Sequence, residues 1–229
     1  MASGIFYRLR HILVTLGLVT LVLAAGGVVL ALLLADSPSK ATGEKVLLAF
    51  GDSLTAGYGL PARSGFTRQL ETALRARGHN VRIINGGVSG DTTAEGRARL
   101  DWTLTPDTDG VILELGANDA LRGVDPSITE ENLKDILSRL GARNLPVLLT
   151  GMYAPPNMGI SYMFKFNGIY SDLADEYDVV FYPFFLEDVA AKRSLNLPDG
   201  IHPNAKGVEI IVENIVPYVE ELLERIPPS

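Results

Sequence analysis

A serine and a distant acid–histidine pair are the residues of this chain best suited to chemistry. Ser53 stands in a Gly-Asp-Ser-Leu sequence directly after an apolar run, and Asp199 and His202 stand in a late Asp-Gly-Ile-His-Pro sequence. A serine hydroxyl is a weak nucleophile that needs a base to take its proton and a third group to orient that base. We therefore predict a catalytic triad of Ser53, His202 and Asp199, which is typical of a serine hydrolase.

Each member of this triad also has a simpler interpretation. Ser53 could cap a short helical turn, and Asp199 could be an ordinary turn aspartate between a proline and a glycine. The chain has three histidines, of which His11 borders an apolar segment and His79 lies in a predicted helix-to-strand turn. Because only His202 has an acid close by in a turn-rich loop, it is the preferred base.

Two further residues are candidates for an oxyanion hole. The negative oxygen of a tetrahedral intermediate needs several aimed donors, and we predict the backbone N–H groups of Ser53 and Gly90 with the side-chain amide of Asn118. Glycine at position 90 would let the backbone approach a substrate closely, although Gly90 and Asn118 taken singly could be ordinary turn residues. Asp52 is predicted to be a structural acceptor, because neighbouring positions on an extended chain point apart.

Alternating strands and helices must bring these residues together. This alternation predicts a parallel sheet covered by helices on both faces, with ligands bound at the carboxyl ends of the strands. Ser53, Gly90 and Asn118 follow the first three predicted strands and should therefore meet on one edge of the sheet. The predicted strands are 46–50, 81–84, 111–115, 146–150 and 179–181. The predicted helices are 66 to a stop at 78, 92–104, 129–140, 161–177 and 205–225, the last capped by Asn204 and interrupted or bent at Pro217.

Composition excludes several classes of site and partner. The 229 residues include no cysteine, which excludes disulfides, thiolate zinc sites and a cysteine nucleophile. The net charge of −7 disfavours binding to nucleic acid and to anionic lipid headgroups. One histidine beside Asp199 does not make a metal-ligand cluster, so no metal is predicted. Nothing in the sequence indicates an oligomeric state.

The N-terminus carries a long uncharged segment, 12–35. Its 24 residues would span roughly 36 Å as a helix, enough for a hydrocarbon core of about 30 Å. Arg8 and Arg10 precede it, so the positive-inside rule places the remainder of the chain on the periplasmic or other extracytoplasmic side. The alternatives are a signal peptide cleaved during secretion to the periplasm and a buried core helix. We therefore divide the chain into an anchor or signal (1–35), a linker (36–45) and a serine hydrolase domain (46–229).

Four short blocks in order resemble the SGNH subgroup of the GDSL hydrolases. The chain is most similar to the bacterial group of thioesterase I, lysophospholipase and arylesterase, and the resemblance extends over 46–216. The four blocks are Gly51-Asp52-Ser53-Leu54, Ser89-Gly90-Asp91-Thr92, Gly116-Ala117-Asn118-Asp119 and Asp199-Gly200-Ile201-His202-Pro203. The resemblance implies a flavodoxin-like three-layer α/β/α fold with a five-stranded parallel sheet. It also implies ester hydrolysis through an acyl-enzyme without a cofactor. Many members have a short cleavable signal, unlike this long segment, and Ala117 replaces a frequent glycine.

The expected activity is hydrolysis of small-molecule esters or lipids: aryl or acyl esters, lysophospholipids and acyl thioesters. A membrane tether would favour lipid substrates by proximity. A deacetylase acting on envelope glycans is the alternative within the hydrolases, and a non-catalytic envelope scaffold is the alternative outside them. Five apolar loop residues could line an acyl groove or pack in the core: Leu121, Val124, Tyr153, Met158 and Ile160.

Overall fold

The computed structural model describes residues 43–227. The predicted N-terminal apolar helix, with its role as membrane anchor or signal, lies outside the described residues, as does most of the predicted linker. Within 43–227, no helix combines the length and the apolar character needed to cross a membrane.

Five parallel strands form the sheet, in the spatial order β2-β1-β3-β4-β5. The predicted parallel sheet of five strands and its flavodoxin-like order are thereby confirmed. The strands are β1 (Lys45–Gly51), β2 (Val81–Gly87), β3 (Gly110–Glu114), β4 (Val147–Thr150) and β5 (Val180–Tyr182). Because β1 lies between β2 and β3, the first three strands end side by side on one edge.

An unbroken apolar sequence makes β1 an interior strand. Residues 46–50 have no exposed surface, as expected for a parallel strand that helices cover on both faces. Its register pairs Gly51 with Gly87 of β2 and with Glu114 of β3. The chain segments that leave these three strands therefore begin from neighbouring positions.

Seven α-helices in the described residues connect or flank the strands. They are α1 (Ser53–Ala56), α2 (Phe66–Ala76), α3 (Thr93–Thr103), α4 (Ala117–Arg122), α5 (Pro126–Gly141), α6 (Ile160–Tyr177) and α7 (Ala205–Glu224). Helices α2 and α7 contact each other, while α5 contacts both α3 and α6. The helices thus form two groups around the sheet, which completes the three-layer arrangement.

Most predicted helix bounds agree with the structure, and two features differ. Helix α5 begins at Pro126 rather than at residue 129, because Asp125 caps it by accepting the backbone N–H of Ser127 and proline suits the first turn. The short helices α1 and α4 were not predicted, since six residues or fewer show no helical periodicity. Asn204 caps α7 as predicted, but the predicted alternative of an interruption at Pro217 is wrong, because the helix continues through this residue to Glu224.

Candidate active site

The segment after β1 places Ser53 at the first position of α1. Asp52, not Ser53, is the cap: its Oδ1 accepts the backbone N–H of Leu54 at 2.9 Å. Asp52 also accepts a hydrogen bond from the side chain of Asn118, so its predicted role as a structural acceptor is confirmed. The interpretation of Ser53 as a helix cap is wrong, and the Ser53 hydroxyl is left for other partners.

Glycine at position 51 is required by close packing at this corner. A Cβ there would lie 2.2 Å from Thr55 Oγ1 and 2.5 Å from the carbonyl oxygen of Glu114. Because both neighbours belong to tightly packed elements, a larger residue would displace α1 from the sheet edge. The glycine thus fixes where the chain turns before Ser53.

The structure brings Ser53, His202 and Asp199 into a continuous hydrogen-bonded series. His202 Nε2 lies 3.0 Å from Ser53 Oγ, and His202 Nδ1 lies 2.8 Å from Asp199 Oδ2. A carboxylate can only accept, so Nδ1 carries the hydrogen and Nε2 is free to accept the hydroxyl proton of Ser53. This is the tautomer that a general base acting on a serine requires.

Local hydrogen bonds keep Asp199 ionised. Its pKa is lowered to about 2, first by the hydrogen bond from the His202 side chain and then by the backbone N–H groups of His202 and Ile201. A carboxylate with this pKa carries its charge at any pH above about 4. It can therefore hold the imidazole in one orientation under all ordinary conditions.

Gly90 and Asn118 lie next to the serine on the same sheet edge. Gly90 has a left-handed backbone with φ +91°, and its carbonyl accepts Arg122 Nη2 at 2.7 Å. Asn118 Nδ2 donates to Asp52 Oδ2 at 2.9 Å and to the carbonyl oxygen of Asp91 at 3.0 Å. Both residues also line the cavity that contains Ser53. The amide of Asn118 is thus oriented by two protein acceptors.

Arg99 connects the loops that carry these groups through hydrogen bonds, a role that no local pattern in the sequence indicates. Its guanidinium donates to the carbonyl oxygens of Gly51 and Gly86, each at 2.9 Å, and to Asp91 Oδ2 at 2.5 Å. The same group lies 4.2 Å above the ring of Phe50. One side chain therefore connects the end of β1, the end of β2 and the loop after Gly90.

A pair of buried carboxyl groups lies beneath the serine. Glu114 is fully buried, and its Oε2 accepts the backbone N–H of Asp52 at 3.2 Å and the hydroxyl of Thr55 at 2.7 Å. Burial, reinforced by the nearby charge of Asp52, raises the pKa of Glu114 well above its ordinary value. Burial also raises the pKa of Asp52 to about 6. The signal in the sequence was an acidic residue, Glu114, at the end of the otherwise apolar strand β3, and we predicted no role for it.

A cavity of about 760 Å³ opens beside the serine. No lysine, arginine or glutamate of the described residues lines it, and Leu121, Tyr153, Met163 and Phe184 are among its apolar members. Of the five predicted groove residues, Leu121 and Tyr153 line the cavity. Val124, Met158 and Ile160 do not, and Ile160 is 87% exposed. A space of this size and character suits the apolar part of a small ligand.

Residues 49–210 match the model of the GDSL-like lipase/acylhydrolase family. The chain belongs to this family. It is 39% identical over 181 residues to an arylesterase of Vibrio mimicus, which covers 79% of this chain and 89% of the relative. It is 36% identical over 187 residues to thioesterase 1/protease 1/lysophospholipase L1 of Escherichia coli K12, covering 81% of this chain and 88% of the relative.

A solved structure gives the same assignment. The crystal structure of AlinE4, an SGNH-hydrolase family esterase, is 50% identical with a TM-score of 0.67, covering 79% of this chain and 97% of that one. The predicted resemblance to SGNH/GDSL hydrolases of the thioesterase and arylesterase group is thereby confirmed. Membership of an acylhydrolase family also confirms that the chain is a carboxylic ester hydrolase.

Proposed function

We propose that this protein hydrolyses esters with an apolar acyl chain through an acyl-enzyme on Ser53. The observation that carries the proposal is the hydrogen-bonded series from Ser53 Oγ through His202 to Asp199, with distances of 3.0 and 2.8 Å. A nucleophile and a base within hydrogen-bond reach, the base itself held by a carboxylate, are the elements of covalent acyl transfer.

The first half-reaction is acylation. Ser53 Oγ forms a bond to the ester carbonyl carbon as its proton moves to His202 Nε2, and the carbonyl π pair moves onto oxygen. Collapse of this tetrahedral intermediate breaks the bond to the alkoxy group, and His202 returns the proton to the leaving oxygen. Asp199 stabilises the positive imidazolium meanwhile, because it stays negative.

Hydrolysis of the acyl-enzyme repeats these steps with water. His202 takes a proton from water as the water oxygen attacks the acyl carbon, and it returns that proton to Ser53 Oγ when the acid leaves. No cofactor enters this sequence of bond changes.

The developing oxyanion needs donors, which we assign to the N–H groups of Ser53 and Gly90 and to Asn118. The amide of Asn118 already donates both hydrogens, to Asp52 and Asp91. An oxyanion would therefore share one of these hydrogens in a bifurcated bond or replace one acceptor. Loss of one donor from such a hole typically slows catalysis about 10²- to 10³-fold.

The cavity supports acyl esters over acetylated glycans as substrates. Its lining is mostly apolar, whereas a sugar needs several polar partners placed around it. Relatives named arylesterase and thioesterase/lysophospholipase support the same substrate range, which here includes aryl esters, lysophospholipids and acyl thioesters.

The test is the intact mass of the full-length protein after exposure to a fluorophosphonate. We expect one adduct on the wild type, none on Ser53→Ala, and one on Ser89→Ala, which removes a second hydroxyl that lines the same cavity. Ser53→Ala should also fold normally and lose turnover of p-nitrophenyl butyrate. Full turnover by that variant would refute the assignment of Ser53. A rate that falls steadily from acetyl to octanoyl esters would favour the deacetylase.

A further inference from the structure

The aromatic ring of Tyr58 lies directly against the imidazole of His202. The two ring centroids are 4.4 Å apart and the planes are inclined by 34°. Although the loop that carries His202 is largely exposed, the side chain of His202 is only 17% exposed. Tyr58 therefore covers part of one imidazole face that would otherwise contact water.

The backbone holds Tyr58 in this place. Its N–H donates to the carbonyl oxygen of Ser53 at 3.0 Å, and glycines with φ +81° and +71° flank it at positions 57 and 59. A Cβ on Gly59 would lie 2.7 Å from Leu197 Cδ1, and the N–H of Leu197 donates to the carbonyl oxygen of His202 at 2.7 Å. The segment after the serine thus packs against the loop of the base.

We propose that Tyr58 is a positioning residue for His202, and that its π face stabilises the imidazolium formed during catalysis. The proposal rests on the proposed function, in which His202 Nε2 takes the proton of Ser53. A cation over the face of an aromatic ring within about 6 Å of its centroid is attracted by the ring quadrupole. This attraction exists only while the imidazole is charged, so it favours the transition state over the resting enzyme.

The alternative role for Tyr58 is contact with substrate, because it also lines the cavity. The two roles make different predictions. Stabilisation of the imidazolium changes kcat by the same factor for every ester, since the proton transfer is the same in each. Contact with the acyl chain changes KM, or changes kcat by a factor that depends on chain length.

The experiment compares Tyr58→Phe, Tyr58→Trp and Tyr58→Leu in the full-length enzyme with p-nitrophenyl acetate and octanoate. We expect kcat of the leucine variant to fall about two- to fivefold for both esters with little change in KM. The phenylalanine variant should keep the wild-type kcat, and the kcat of the tryptophan variant should equal or exceed it, since the attraction depends on the aromatic ring and not on the hydroxyl. Trp102→Leu, at a position that is 91% exposed on α3, is the control for loss of an aromatic residue.

Three results would overturn the proposal: wild-type kcat in the leucine variant, a loss that depends on acyl chain length, or a phenylalanine variant as slow as leucine. Each variant is first labelled with the fluorophosphonate, which shows that Ser53 is present and accessible in folded protein. Failure of the proposed function would appear separately, as turnover in Ser53→Ala, whatever the Tyr58 series gives.

Discussion

Replacing the buried acid Glu114 by glutamine should change how the stability of the protein depends on pH. Burial raises the folded-state pKa of Glu114 well above its ordinary value of 4.5, so the folded protein holds a proton there that the unfolded chain releases. The contribution of Glu114 to the free energy of unfolding is fully present below pH 4.5 and is lost as the pH rises through the folded-state pKa. Glutamine keeps an acceptor for the Asp52 N–H and the Thr55 hydroxyl but does not titrate.

The magnitude follows from linkage. While the folded protein holds this proton and the unfolded chain does not, the free energy of unfolding falls by about 1.4 kcal/mol per pH unit. Asp52, whose pKa is raised to about 6, contributes in the same direction up to that pH. The wild type should therefore lose up to about 1.4 kcal/mol relative to Glu114→Gln for each pH unit above pH 5 over which Glu114 keeps its proton in the folded protein. Total stabilities are about 5–15 kcal/mol, so this difference is measurable.

Urea titrations of the full-length wild type and variant at pH 5, 6, 7 and 8 measure this difference. Glu213→Gln, on the exposed face of α7, is the control for removal of a glutamate charge and should follow the wild type at every pH. Parallel pH dependences for the wild type and Glu114→Gln, within about 0.5 kcal/mol, would refute the argument. Such a result would mean that folding does not raise the pKa of Glu114 well above its ordinary value.

Two other substitutions test the packing and the loops around the site. Gly116→Ala should lower the melting temperature by several degrees, because φ is +115° and the new Cβ would lie 2.0 Å from Tyr170 Oη. Gly141→Ala is the control, since its Cβ would meet no atom within 4 Å and the melting temperature should not change. Equal melting temperatures for the two variants would contradict this argument. Arg99→Met should reduce kcat for p-nitrophenyl butyrate at least tenfold, because the loops around the site lose charge-assisted hydrogen bonds. The variant should still react with the fluorophosphonate. An unchanged kcat would contradict this argument.

The sequence predicted the parts of the site that local pattern determines. An unbroken apolar run identified β1 as a buried parallel strand. Because ligands bind at the carboxyl ends of such strands, Ser53, which directly follows β1, could be placed in the site. Asp199 and His202 could be assigned to the same site as Ser53 because the chain has only three histidines. The structure brings all three together at hydrogen-bonding distance.

The remaining features depend on contacts between distant parts of the chain. Tyr58 and His202 are 144 positions apart, and nothing near either residue signals that their rings meet. The same holds for Arg99, which lies in a segment that the sequence predicts only as a helix, although its guanidinium hydrogen-bonds to the ends of two strands. The start of α5 at Pro126 was missed because an Asp-Pro-Ser sequence is equally typical of a turn.

The nucleophile and the base are attached to the fold with unequal strength. Ser53 follows an interior strand of the sheet, whereas His202 lies on a loop closed by the antiparallel bridge between Asn196 and Pro203 and by one further backbone hydrogen bond, from Gly200 to Leu197. Segments with few buried contacts open locally at a lower free energy than interior strands. On warming, this loop should therefore detach while the sheet remains intact. The enzyme should then lose activity at a temperature where its helices and strands persist, so we expect this loop, rather than the core, to limit the temperature at which the enzyme works.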